Sequence, residues 1–578
     1  MPRKRKVDGG EEERLRRCLR EVGLSQAAVV KVWDIAHGGN KGTSVSRSLV
    51  RRLDETMLRP YRDLCVQVHC APLDAEQRPV SVHILKMHRA LQEVAAASPA
   101  WRVELRQALQ KGSILRPVLY SDEVHAGNVL SAHAAMKVTV IYASFLELSH
   151  TWYNENAWLP VCVVQHDVAA EVAAGMSNVM VQVIHQLLCP REFAVSLEDR
   201  WFHAVMAPEI FFVADHDAQR MVFYTAKEDL QIIRDEEYFD AIEDMRGIHS
   251  KSLLKEKEIC YGIRFEEHGL LSSEQCRRSM PPSRACNDAM HAYFCSGGIA
   301  QLEIMLCWER LASHTAMTTQ RLREMAVSHG WKKGPRSQAA TLRALFRKSY
   351  FEGDHYRGDA CQTKNVLPLL AYYAWELLEQ KGLAPAECAS LYRLLQCAAE
   401  VRRLEQRWRP LATRKDVEPL QKAQERRHAA FYAAYGEARM RPKHHHRLHV
   451  CDGALKLGRL LTTEIMEKKH QSLKSRGLLS RQRAKLGSSA HLQSWLLPRL
   501  LADTIEGSKR AQALALWTSA GSPGPADPDI RHALRDNSVQ KVPQMHLWQN
   551  TVHVTDVLLI GDERACLVNA LYQAQRAP

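Results

Sequence analysis

Three acidic residues stand where a strand end or a packed helix would present a carboxylate. Asp122 closes "RPVLYSD", Asp215 follows "EIFFVA", and Glu467 lies in "TTEIMEKKH". Carboxylates on neighbouring strand ends and on a helix packed against them can hold two divalent cations about 3.5–4 Å apart. Oxygen ligands suit Mg²⁺ or Mn²⁺, which would activate a water and stabilise the leaving oxygen of a phosphodiester. Taken singly, each strand-end Asp is equally a turn former. The chemistry requires all three to meet.

Glu467 sits in the most unusual stretch of the chain, "RPKHHHRLHVCDGALKLGRLLTTEIMEKKHQSLKSRG" at 441–477. It combines His444, His445 and His449 with Lys468 and Lys469, and base continues beyond it. Residues 468–485 carry seven Lys/Arg, Arg481, Arg483 and Lys485 among them, and no acid. Residues 402–447 carry thirteen Lys/Arg against five acids. A solvated helix face interleaves both signs, so these blocks point to a polyanionic partner. The whole chain agrees in sign, with 79 Lys/Arg, 65 Asp/Glu and a net charge of +14. The opening "MPRKRKV" is a basic run of the kind used for nuclear import or as a nucleic-acid tail, so the nucleus is the expected location.

The elements that would position these groups follow from hydrophobic period. Residues 11–112 read as an N-terminal helical region after a basic tail at 1–10, with apolar residues near a 3.6 period in "EEERLRRCLREVG" and "QAAVVKVWDIAH". Near 115 the pattern changes. "RPVLYSD", "MKVTVIYASFLEL" and "WLPVCVVQH" are β-branched and aromatic, residues 168–188 return to a helical period, and "RWFHAVM" and "PEIFFVADHD" are strands again. This order predicts an α+β chain with a mixed sheet across 113–220. Residues 221–440 read as helical almost throughout. "GALKLGRLLTTEIMEKKHQSLKSRG" reads as one helix with Leu457, Leu461 and Ile465 on its core face and Gly477 as its stop, inside a unit spanning 441–518. A Pro/Gly-rich linker is expected at 519–535, then a small C-terminal β hairpin at 536–578 turning at Gly561-Asp562.

Length and composition bound the rest. At 578 residues the chain calls for several cores. No apolar run approaches the roughly 20 residues that span a bilayer, and no signal-like apolar segment follows the first charges, so no membrane partner is expected. Fifteen cysteines form no CxxC pair and read as reduced intracellular thiols.

Taken in order, "VLYSDEVHAGNVLS", "MKVTVIYASFLEL", "WLPVCVVQHDVAAEVAAGMSNVM", "IFFVADHDAQ", "CNDAMHAYFCSGGIAQLE", "RPKHHHRLHV" and "EKKH" resemble eukaryotic cut-and-paste DNA transposases of the CACTA/CMC-like superfamily. The resemblance covers roughly 110–480 and rests on the order of the motifs and the strand–strand–strand–helix–strand grammar. It implies an RNase H-like core interrupted by a large all-α insertion. It also implies double-stranded DNA as the partner and metal-dependent DNA strand cleavage and strand transfer, with Asp122, Asp215 and Glu467 as catalytic and metal-holding acids. Asp217 rivals the second acid and Glu464 the third. Asp288 and His291 match a motif such proteins keep inside the insertion, in a supporting role. His444, His445 and His449 match the "PKHH…LH" before the last helix and, with Lys468 and Lys469, would neutralise DNA phosphates. Self-association of the chain is also compatible with the family.

In one place the chain departs from the pattern. Relatives usually carry a Gly-rich segment and a CxxC after the second acid, whereas this chain reads "AQRMVFYTAKEDLQIIRDEEYFD". That loss admits a second expectation, a domesticated, transposon-derived nuclear DNA-binding or scaffold protein that no longer cuts.

Overall fold

The computed structural model describes residues 56–74, 76–125, 137–198, 200–223, 234–295, 297–328, 343–405, 407, 410–461, 463–466, 469–470 and 489–510, together with short strands between 517 and 567. The first strands lie inside the stretch read as helical. β1 (Cys65–Cys70) and β2 (Val80–Leu85) pair antiparallel, and their period of two had been masked by the helical segments on either side. In "CVQVHC" Val68 and Cys70 are buried while Gln67 and His69 point out, the alternation of a half-buried strand. Helices α1 (Met87–Ala97) and α2 (Pro99–Lys111) follow, with Pro99 opening α2 and the Ser98 hydroxyl accepting from the Trp101 amide at 3.4 Å. β3 (Ile114–Leu115) is a two-residue strand that precedes the main sheet.

β4 (Pro117–His125), β5 (Lys137–Phe145) and β6 (Leu159–Gln165) form where the β-branched runs place them and pair antiparallel in sequence order. Eight of the nine residues of β5 are buried, because both faces of the sheet are covered. Helix α3 (Gly175–Leu187) crosses one face. β7 (Glu192–Leu197) and β8 (Arg200–Met206) form a hairpin that joins β3 in a separate three-stranded sheet. β9 (Phe211–Ala214) then runs parallel to β4, and α4 (His216–Phe223) leaves its end.

The helical reading of 221–440 fails at β10 (Ala285–Asn287), which pairs parallel with β9. Three residues, "ACN", carry no periodic signal, and β9 supplies the hydrogen-bonding edge that makes them a strand. The completed sheet has seven strands in the order β1-β2-β6-β5-β4-β9-β10. Its alternate residues feed two cores. Leu119, Ile141, Ala143 and Phe212 face α1 and α3. Val118, Tyr120, Tyr142, Val213 and Cys286 face Leu457, Leu461, Met466 and residues 495–502 of a later helix.

Beyond β10 comes an all-α stretch that starts later than the expected 221 and runs past the expected 440: α5 (Ala289–Tyr293), α6 (Ile299–Thr315), α7 (Ala360–Leu377), α8 (Pro385–Glu405), α9 (Arg414–Tyr435), α10 (Pro442–His446) and α11 (His449–Lys456). These helices share a core of their own. Its centre holds an ion pair, Glu303 with Arg427 at 2.6 Å, both side chains fully buried. Ser390 donates to the other carboxylate oxygen at 2.5 Å.

The single helix expected from Gly453 to Gly477 does not form. α11 ends at Lys456, and Gly458 adopts φ +65°, a left-handed conformation that stops the helix as a glycine cap does. Leu457 and Leu461 are buried as expected, but through an irregular turn. Helix α12 (Ser489–Arg510) packs back onto β6 and β2. In the region expected as a linker and one hairpin, Val557–Ile560 and Arg564–Leu567 do pair antiparallel around Gly561-Asp562. Gly524–Pro525, within the expected linker, belongs to the same four-stranded sheet, whereas Trp517–Ala520, which overlaps the linker, lies in a separate three-stranded sheet. Among the described residues no helix is long and apolar enough to cross a membrane.

Candidate active site at the edge of the mixed sheet

The register of three parallel strands brings three aspartates together. Ala214 of β9 pairs with Ser121 of β4 on one side and Asn287 of β10 on the other. The residues one step further along are Asp122, Asp215 and Asp288. Neighbouring strands lie about 4.8 Å apart, so the three acids line one sheet edge. They also share a face, since each stands two positions beyond a residue of the same core, Tyr120, Val213 and Cys286.

Each carboxylate has a different environment. Asp122 keeps 18% of its side-chain surface exposed, and its Oδ2 accepts from the Tyr120 hydroxyl at 2.9 Å. Burial pushes its carboxyl up to about 6; repulsion from Asp215 adds to this, while His291 and the Tyr120 hydrogen bond oppose it. Asp215 is half-buried and uses Oδ1 to cap α4, accepting from the Ala218 amide at 2.7 Å. Asp288 is fully buried and fully engaged. Its oxygens accept from the amides of Met290 and His291, from the His291 ring at 2.5 Å, and from the amide and hydroxyl of Thr463 at 3.3 and 2.6 Å. Burial works against both charges of the Asp288–His291 pair. Cys295 and Asp288 nevertheless raise the imidazole well above its ordinary value, and His291 and Thr463 hold the carboxyl below its own. Asp288 therefore supports the edge and has no oxygen left for an ion.

Two groups that sequence reasoning did not single out complete the edge. His470, the last residue of "EKKH", brings Nδ1 to 3.5 Å from Asp122 Oδ2 and stacks on Tyr142 and Tyr120 at 5.8 and 6.5 Å between ring centres. Thr463 holds Asp288. Only their closeness to Glu467 in the sequence could have signalled them.

Of the rival acids, Glu464 is turned toward the helical unit, where Lys364 pairs with it at 2.5 Å and with Glu405 at 3.1 Å. Asp217 is 78% exposed on α4 and pairs with Arg220 at 3.4 Å. Glu467, Lys468, Arg481, Arg483 and Lys485 lie outside the described residues.

The expected phosphate-binding residues that are described divide sharply. His444 is 2% exposed, its Nδ1 accepts from the Arg441 amide at 3.1 Å, and its ring packs on Phe431. Burial, with Arg427 and Arg447 nearby, takes its value down to about 2, so it is a neutral core residue. Lys469 is 6% exposed; its ammonium donates to the carbonyls of Glu155 and Trp158 and lies 5.2 Å from the centre of the Tyr142 ring. Burial lowers it to about 7. In this structure both residues hold the fold together rather than present charge to solvent. His445 is exposed, touching half-buried His449 Nε2 to Nε2 at 3.0 Å. Lys443 donates to the carbonyls of His291 and Cys295 at 3.1 and 3.3 Å.

The basic block at 402–447 is less free than its composition suggests. Arg427 and Arg447 are fully buried. Arg403, Arg407, Lys422 and Arg441 pair with Glu400, Asp416, Glu418 and Asp354. Arg402, Lys415, Arg426 and Arg439 are exposed.

Two oxygen donors of the kind a hard divalent ion takes stand together here, and a complete site would need a third acid. Asp122 and Asp215 offer carboxylate oxygens side by side, and the raised value of Asp122 is that of a buried carboxylate short of positive charge. Among the described residues no three His, Cys, Asp or Glu side chains converge as a ready metal site. In comparisons with known proteins, no family model matches the chain and no curated protein matches it.

Proposed function

We propose that the chain is a transposase-like DNA-processing protein with an RNase H-like core. In this reading Asp122, Asp215 and Glu467 hold Mg²⁺ or Mn²⁺ for cleavage and transfer of DNA strands. The observation that carries the reading is the side-by-side placement of Asp122, on β4, and Asp215, just past the end of parallel β9. These strands sit within an order of three antiparallel strands, a helix and a parallel strand. The helical unit entering after Asn287 supports the same reading.

When bound, the ion would lower the pKa of the attacking water or 3′-hydroxyl and neutralise the leaving oxygen. The residues themselves do the positioning. Tyr120 fixes the rotamer of Asp122, the α4 cap fixes Asp215, and Asp288 with His291 holds the edge without competing for the ion. The exposed Lys/Arg groups of 402–447, with the acid-free basic run of 468–485, bind phosphate without reading sequence.

A second reading is a DNA-binding descendant that does not cut. It is favoured by Asp215, one of whose oxygens is committed to a helix cap, and by the departure after it in sequence. Nicking of a labelled duplex with and without Mg²⁺ decides between them. Cutting by the parent and not by Asp122→Asn supports the enzyme, and salt-sensitive binding without cutting under any metal supports the scaffold.

A further inference from the structure

We infer that Asp288, backed by His291, is a positioning residue that clamps the turn at 463–466 onto the sheet edge by gripping Thr463. Only the purpose of the clamp, presenting that segment to Asp122 and Asp215, rests on the cleavage reading. The clamp itself rests on geometry.

Thr463 is fully buried and gives Asp288 both its amide and its hydroxyl, across a sequence separation of 175 residues. The hydroxyl bond, at 2.6 Å, is a charge-assisted one. His291 closes the other side of the same oxygen at 2.5 Å. Residues 464–466 continue as helix, and Met466 is buried in the core beneath the sheet. At its far end the segment is held again, by His470 facing Asp122 and by Lys469 on the carbonyls of Glu155 and Trp158. Two of the three in-register aspartates thus grip the two ends of one short segment. In sequence Glu467 falls between them, four residues after Thr463 and three before His470.

An apolar contact at 463 would hold the segment to the core at less cost than a buried carboxylate, because burying a charge is unfavourable unless every oxygen is satisfied. What the carboxylate adds is direction. Five donors converge on Asp288; three come from residues 290–291 and fix the carboxylate, and the Thr463 amide and hydroxyl must then meet it together, which sets the height and rotation of the 463–466 turn.

The test is hydrogen exchange read by mass spectrometry on the full chain, comparing the parent with Thr463→Val and Thr463→Ser, alongside single-turnover cleavage. Thr463→Val removes the hydroxyl while keeping the shape, a milder change than any at Asp288. Amides of 463–466 should exchange about tenfold faster or more, as expected for loss of a hydrogen bond to a charged group, while β4 and β5 stay protected. Thr463→Ser should restore the parent's exchange. Cleavage by Thr463→Val should fall with DNA affinity unchanged. Unaltered exchange at 463–466 in Thr463→Val overturns the clamp, whatever cleavage does. Faster exchange in a protein whose parent never cuts leaves the clamp standing and removes the cleavage reading instead.

Discussion

Asp122 Oδ2 and His470 Nδ1 lie 3.5 Å apart, joining the first strand of the antiparallel core to a segment near the end of the well-packed chain. The contact places Asp122 under cover, and its consequence is a testable dependence on pH. Burial, with repulsion from Asp215, lifts the Asp122 carboxyl from its ordinary 3.8 to about 6. Between those values the folded protein binds the proton more tightly than the unfolded chain, so this group's contribution to stability declines as pH rises from about 4 through about 6.

Asp122→Asn should therefore be more stable than the parent at pH 7.5, by at most about 3 kcal/mol, and the difference should vanish below about pH 4. Urea denaturation across that range measures it. Millimolar Mg²⁺ should raise the parent's stability at pH 7.5 and leave the variant's unchanged, since only a folded site that binds the ion gains from it. A variant less stable than the parent at pH 7.5 would mean that the carboxylate is already neutralised by the protein's own cations.

The buried pair in the helical unit makes a prediction about stability alone. Arg427→Met leaves the Glu303 carboxylate without its partner in a site with no solvent access, and should cost about 3–5 kcal/mol. Adding Glu303→Gln should recover much of that loss. Replacing Arg403, half-exposed and paired with Glu400, should cost less than about 1 kcal/mol. Equal costs at the two sites would contradict the burial described here.

The sequence revealed the strands that carry their own signal and hid those defined by a partner. β4, β5, β6 and β9 are β-branched runs long enough to read directly, and they delivered Asp122 and Asp215 to one edge. β10 is three residues long and exists because β9 offers an open parallel edge, so Asp288 was placed in the insertion when it also ends a core strand. Gly458 was read through as an interior helix residue because the apolar period continues past it in Leu461 and Ile465. Its left-handed backbone breaks the helix all the same. Charge was the least legible property. Composition cannot tell the buried Arg427, Arg447 and Lys469 from cations free to meet phosphate.

Glu467→Gln and Glu464→Gln form a matched pair for the third acid. Glu464 spends its charge on Lys364, so its replacement should cost under about 1 kcal/mol of stability and retain most cleavage. Glu467→Gln should bind DNA as the parent does while Mg²⁺-dependent nicking falls by several orders of magnitude. Nicking lost in Glu464→Gln and kept in Glu467→Gln would reverse the assignment.

DNA affinity should separate free cations from structural ones. Replacing Arg481, Arg483 and Lys485 with Ala removes three positive charges from a block with no acid. If all three meet phosphates, the slope of log K against log salt should shrink by about 2–3, at roughly 0.9 per phosphate contact. The loss should be the same for every duplex sequence, because phosphate contacts carry no base information. Lys415→Ala with Arg426→Ala, both exposed on α9, tests whether the helical unit shares the duplex, and should lower the slope by a further one to two, about 0.9 each. Lys469→Met is the contrast. Its ammonium is held by two backbone carbonyls under the Tyr142 ring, so the variant should change stability and leave the salt slope of the folded protein where it was. Fluorescence anisotropy between 50 and 200 mM salt measures all of them. A slope that falls for Lys469→Met and holds for the Arg481/Arg483/Lys485 variant would place the DNA on the sheet edge instead of the basic block.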